Sequence, residues 1–147
     1  MPTTAKLVSA ILFAAVGYLA ALAYGETMPP GQPRQWLAPI VAVIGLGQGW
    51  ATMGGLVGQG ISMAITTGVR VSVQIAFWTI LGFGFFEMFY RSTRLRYDGL
   101  GESVIAALDL FLDYGLSLLS ASTCLVTLLV GGAVSGAVAE LVNRRWS

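Results

Sequence analysis

Residues 70–91 read RVSVQIAFWTILGFGFFEMFYR, so that twenty residues carrying a single charge, Glu87, stand between two arginines. A bilayer core of about 30 Å takes roughly 20 helical residues. Arginines at both ends of such a run can extend their guanidinium groups to opposite headgroup layers. Val71 to Tyr90 therefore reads as a transmembrane helix, and Glu87 lies one turn before Arg91, where the two can pair across i,i+4.

Towards the carboxy terminus the chain becomes basic, with Arg91, Arg94 and Arg96 closing on Tyr97-Asp98-Gly99. Residues 102–119 then follow a helical period. Glu102, Asp109, Asp113 and Ser120 fall on one narrow stripe, and Val104, Ile105, Leu108, Leu112, Leu116 and Leu119 fill much of the rest. Two central aspartates are expensive in lipid, so the expectation is an amphipathic, interfacial helix. If residues 103–119 crossed instead, the Arg91–Arg96 and Arg144–Arg145 clusters would share one side of the membrane. A last span over about 123–142 contains Gly132-x-x-x-Gly136 and ends at Arg144, Arg145 and Trp146, a basic and aromatic stop.

Towards the amino terminus, 58–69 is mixed and uncharged, and a glycine-rich second span covers about 39–57, with Trp36 as an interface anchor. Gly45 and Gly49 make one G-x-x-x-G pair, Gly54 and Gly58 another, and on a regular helix the pairs occupy different faces. Gly45-Leu46-Gly47-Gln48-Gly49 lacks the spacing and the preceding strand of a dinucleotide fingerprint. Pro29, Pro30, Gly31 and Pro33 break the chain before it. The first span, about 7–24, aligns Ala10, Ala14, Gly17 and Ala21 along one seam. Ala21-Leu22-Ala23 has the small residues of a signal-peptidase site, but the apolar run exceeds a usual signal core, and a retained helix is expected.

Composition agrees with a chain surrounded by lipid. Hydrophobic residues make up 56% of the 147 and charged residues 10%, against roughly a quarter charged in soluble domains. A net charge of +1 gives no reason to expect nucleic acid as a partner. There is no histidine, which removes the commonest haem and zinc ligand and the commonest general base. Cys124 has no second cysteine for a disulfide or a C-x-x-C pair. The expectation is thus a single all-α domain, a polytopic membrane bundle of about four spans plus one amphipathic helix, without catalytic, cofactor or metal site.

Six glycines are the candidate packing residues: Gly45, Gly49, Gly54, Gly58, Gly132 and Gly136. They let helices approach closely within the chain, in a homo-oligomer or inside a larger membrane complex. Arg70, Arg91, Arg94 and Arg96 are the candidate contacts to lipid phosphate or an oxyanion. For Arg70 a snorkelling position at a helix end is the simpler reading, for the arginine run an orientation signal. Asp109 and Asp113 read as a solvated stripe and Cys124 as a small packing residue. Both termini are expected in the cytoplasm, from Lys6 and the double arginine.

The opening Met1-Pro2-Thr3-Thr4-Ala5-Lys6-Leu7-Val8 resembles that of the bacterial TrgA-type tellurite-resistance membrane proteins. The resemblance continues through Gly49-Trp50, the run from Arg91 to Gly99, Tyr114-Gly115, and Thr127 to Gly132. It ends on Arg144-Arg145-Trp146-Ser147 and covers nearly the whole chain. It implies a multi-pass protein of the bacterial inner (cytoplasmic) membrane with a role in tolerating tellurium oxyanions, and it brings no known catalytic residue. The alternative expectation is an accessory or structural transmembrane subunit of a larger energy-transducing complex, photosynthetic or respiratory.

Overall fold

The computed structural model describes residues 4–28, 34–93 and 99–146. Five long helices account for nearly all of them. They are α1 (Thr4–Thr27), α2 (Leu37–Gln48), α3 (Ile61–Ser92), α4 (Leu100–Ser120) and α5 (Ser122–Trp146). A short 3-10 turn, Arg34–Trp36, leads into α2, and a π-helical turn, Gly49–Met53, followed by Gly54–Leu56, carries its helical path on. Among the described residues there is no strand. All five helical paths are long and apolar enough to cross a membrane, which makes this an all-α, multi-pass membrane bundle by length and composition.

Helix α1 lies between α2 and α5. On one side its small-residue seam meets α2 running the other way. A side chain on Gly17 would strike the Val41 carbonyl, one on Gly45 the Phe13 carbonyl, and one on Gly49 the Ser9 carbonyl. Ser9 fixes this contact by donating its hydroxyl to the Gly49 carbonyl at 3.0 Å. On its other side α1 offers Val16 and Ala20, which pack with Ala121, just before α5, and with Cys124 and Leu128 in its first turns. Helix α3 runs antiparallel to α5, with Ala64, Gly68 and Ser72 set against Gly132 and Gly136 so closely that backbones touch. Lipid tails are as apolar as leucine, so such contacts draw on dispersion and weak C–H···O bonds instead of the hydrophobic effect.

Three boundaries differ from those expected from the sequence. The span placed at 71–90 begins ten residues earlier, at Ile61, so Arg70 sits inside a helix of 32 residues and not at its end. In the uncharged stretch before it Ala64, Thr67 and Gly68 are buried, and α5 covers Ala64 and Gly68. The segment expected as an interfacial helix over 102–119 is extended to 21 residues. Five candidate spans therefore stand where four and an amphipathic helix were expected. Helix α4 nevertheless keeps an amphipathic character apart from the rest. It buries 11% of its apolar window, against 22% to 39% in the other four. Ala121 alone separates it from α5.

The third difference is in α2. Gly49 to Gly54 is five residues, which on an α-helix would leave Gly54 about 140° away from Gly49. The π-turn's i→i+5 hydrogen bond, Gly54 N–H to Gly49 carbonyl, brings the fifth residue back over the first. Gly45, Gly49 and Gly54 consequently share one face, and all three meet α1, Gly54 against Lys6. Gly58 is not on that helix. It lies in the following turn with φ +103°, and Gly60 at the start of α3 has φ +106°. Both conformations favour glycine because it has no Cβ.

Candidate functional site

Where the packing residues become large the helices part. A cavity of about 360 Å³ opens between all five, bounded by the end of α1, the start of α2, the second half of α3, Tyr114 and Leu118 of α4, and the start of α5. Its lining changes in character along α3. The deep part is apolar, with Val41, Ile75, Ala76 and Leu128. The other end collects Glu87, Arg91, Tyr24 and Tyr114. Arg91 donates from Nε to Glu87 Oε1 at 2.8 Å, one helical turn apart. Both side chains are only partly exposed, so the pair is screened less than a surface ion pair. Tyr114 approaches the pair from α4, and Tyr24 of α1 lies by Ser117.

Phe86 both lines the cavity and is 67% exposed, which marks the place where the cavity reaches the outer surface. Phe85 meets Phe111 of α4 edge-on, with ring centres 6.4 Å apart, and Gly84 gives the Phe111 ring room. These contacts hold α4 against α3 and keep Tyr114 over the ion pair.

A second polar group lies at the opposite end of the bundle. Glu140 of α5 is buried, and its carboxylate accepts the Gly58 N–H at 2.7 Å and the Gly60 N–H at 3.2 Å, with Arg144 Nε at 3.3 Å. It thereby caps the start of α3, where a negative charge also suits the helix dipole. The arrangement is structural: every described partner of the carboxylate belongs to the turn or to α5 itself.

Of the residues singled out in the sequence, Gly45, Gly49 and Gly54 face α1, Gly132 and Gly136 face α3, and Gly58 serves the turn. Arg91 is on the cavity wall. Arg70 is exposed on the outside of α3, and Gln74 one turn later keeps its Oε1 buried without a hydrogen bond, so no Arg70–Gln74 pair forms. Arg94 and Arg96 lie outside the described residues. Asp109 and Asp113 are exposed. Cys124 is buried and borders the cavity. Among the described residues no group of three histidine, cysteine, aspartate or glutamate side chains is placed to hold a metal ion.

Sequence reasoning missed Glu140 and the two tyrosines. Glu140 had a visible signal, a carboxylate inside an expected span and four residues before Arg144, since an ionisable residue in a span calls for a named partner. Tyr24 and Tyr114 had none, because nothing local links residues 90 apart. Comparison with protein-family models, curated proteins and solved structures gives no match.

Proposed function

We propose that this chain is a non-enzymatic integral membrane protein that acts as a self-contained unit. Its cavity is a ligand-binding site, and its physiological role is the tolerance of tellurium oxyanions implied by its resemblance to the TrgA-type proteins. The reading rests on one observation above all. The glycine seams of α2 and α5 are filled by α1 and α3 of the same chain, so they do not await a foreign helix. An oxyanion site at Arg91 is disfavoured by Glu87, which already neutralises the guanidinium. Protection would then act through what the cavity holds, and not through direct anion capture or reduction.

A second reading is favoured by α4. Val104, Ile105, Leu108, Leu112, Leu116 and Leu119 are each between 59% and 67% exposed, an apolar face that would suit a neighbouring subunit as well as lipid. On that reading the protein is an accessory subunit of an energy-transducing assembly. Extraction from native membranes in mild detergent, followed by native separation and mass spectrometry, tests the choice. A band of this chain alone or a small homo-oligomer supports the first reading; stoichiometric comigration with a large complex replaces it with the second. A tellurite survival assay tests the role itself. Ala76→Phe, which fills the cavity, should remove protection, while Arg70→Ala should leave it intact. Full protection by a stably inserted Ala76→Phe protein would refute a role for the cavity.

A further inference from the structure

Helix α4 is the least buried of the five helices, and it also forms one wall of the cavity. From 101 to 109 none of its residues is buried. The contacts described above gather further on. Phe111 meets Phe85 and the space over Gly84, Tyr114 and Leu118 line the cavity, and Ser117 lies beside Tyr24. An element with few buried contacts opens at lower free energy than the core it rests on.

The joint between α4 and α5 is a single residue. Ala121 has φ −83° and ψ 74°, outside the helical region, and is itself buried with Val16, Ala20, Cys124 and Leu128. Its N–H donates to the Ser117 and Leu118 carbonyls of α4, while its carbonyl accepts the Leu125 N–H of α5. The two torsions between those groups belong to neither helix. Rotation about them turns α4 against α5 without breaking a hydrogen bond of either, as a hinge at the end of an element does. At 1.5 Å per residue, Tyr114 is about 10 Å along α4 from this pivot and Phe111 about 15 Å. A turn of roughly 20° therefore carries Phe111 about 5 Å and Tyr114 about 4 Å. The outer face of α4, with Val104, Leu108, Leu112 and Leu116, is apolar and exposed. Moving outward in lipid, it exchanges one apolar surrounding for another.

We propose that α4 is a gate: it pivots at Ala121, leaves Phe85, and opens the cavity to the membrane between α3 and α4. Its purpose rests on the cavity being a binding site, as proposed above, whereas the movement is measured without any ligand.

Cys124, the chain's one cysteine, is buried at the cavity wall and serves as the reporter. With the full chain in nanodiscs, N-ethylmaleimide should modify it at least tenfold faster in Phe111→Ala, with helicity and elution volume unchanged. Gly84→Ala sets a methyl group 3.4 Å from the Phe111 ring and should slow the reaction at least twofold. A misfolded Phe111→Ala chain could mimic the first effect but not the second. Unchanged rates in both variants, or shifts in the same direction, overturn the gate. Spin labels then follow the movement in a Cys124→Ala background, at the exposed positions Ile11, Leu108 and Val134. Leu108→Cys paired with Val134→Cys should give a distance distribution at least twice as wide as Ile11→Cys paired with Val134→Cys. Equal widths overturn the gate. A wide distribution with unchanged labelling rates does so too, since α4 would then move without opening the cavity. A working gate in a protein whose Ala76→Phe variant still protects fully against tellurite would keep the gate and refute the cavity's role. Lost protection in Ala76→Phe with a rigid α4 would do the reverse.

Discussion

From Ile61 to Ser72, α3 presents Ala64, Gly68 and Ser72 to Gly132 and Gly136, and the two backbones meet. From Ile75 to Arg91 the same helix presents Ile75, Ile80, Phe83, Phe86 and Glu87, and it borders a cavity instead of a seam. Both halves belong to one helix, which is long and apolar enough to cross a bilayer. Side-chain size makes the difference. Where Cβ atoms are absent or small, helices close until main chains touch. Where rings and branched chains intervene, the axes are held apart and the gaps are not filled by neighbours of matching shape. A membrane bundle can therefore be rigid at one end and receptive at the other without any change in hydrophobicity.

The sharpest way to break this comparison is to place the same large side chain in each half. Gly68→Leu drives a side chain into the Gly132 carbonyl and should cost about 3 kcal/mol, the upper range for overpacked cores. Ala76 borders the cavity, so Ala76→Leu should find space there and shift an SDS-unfolding midpoint little or raise it. Equal losses from both would show that the halves do not differ as described.

Next in size is the register of α2. Deleting Ala51, an exposed residue of the π-turn, removes the extra residue and leaves Gly45, Gly49 and Gly54 on one face of a regular helix. Deleting Val43, equally outward-facing, rotates Val41 and Leu37 by about 100° relative to the glycines. The first variant should insert and elute as the wild type does; the second should aggregate on extraction. Aggregation of both would remove the register argument.

The carboxylate cap offers a smaller effect. Glu140→Ala deprives the Gly58 and Gly60 N–H groups of their acceptor and should cost about 1.5–3 kcal/mol, the range for hydrogen bonds to a charged group. Hydrogen exchange should quicken at residues 58–64 and stay slow around the cavity; quickening throughout would mean that the closed end is not a separable unit. Smallest is the contrast between two uncrowded glycines. Gly60→Ala is strained by its positive φ and should cost about 1–3 kcal/mol, whereas Gly47→Ala, in regular helix, should gain about 0.5–1 kcal/mol. Thermal melts of the two in the same detergent should move in opposite directions.

The glycine spacing of α5 and the small seam of α1 could be read directly, because a periodic stripe of small residues on a regular helix stays on one face in the folded protein. Gly54 and Gly58 could not be read in that way. The seam continues to Gly54 only through the π-turn, and the helix ends before Gly58, which serves a turn held by a residue 82 positions away. Arg70 shows the same limit from another side. An arginine beside an apolar run looks like a helix end, but the helix takes in the uncharged residues before it, and α5 covers Ala64 and Gly68 among them.

By itself, then, the sequence determined the class of the molecule: apolar runs of bilayer length, charges kept mostly to their ends, and helices able to approach closely. Those are local properties of composition and period, fixed before any two helices meet. Which glycines face which helix, where the π-turn restores the register, and what surrounds Glu87 and Arg91 were decided by tertiary structure. The cavity belongs wholly to that second group, since it is the space left where five helices with large side chains converge. No stretch of chain encodes an empty volume that exists only between stretches.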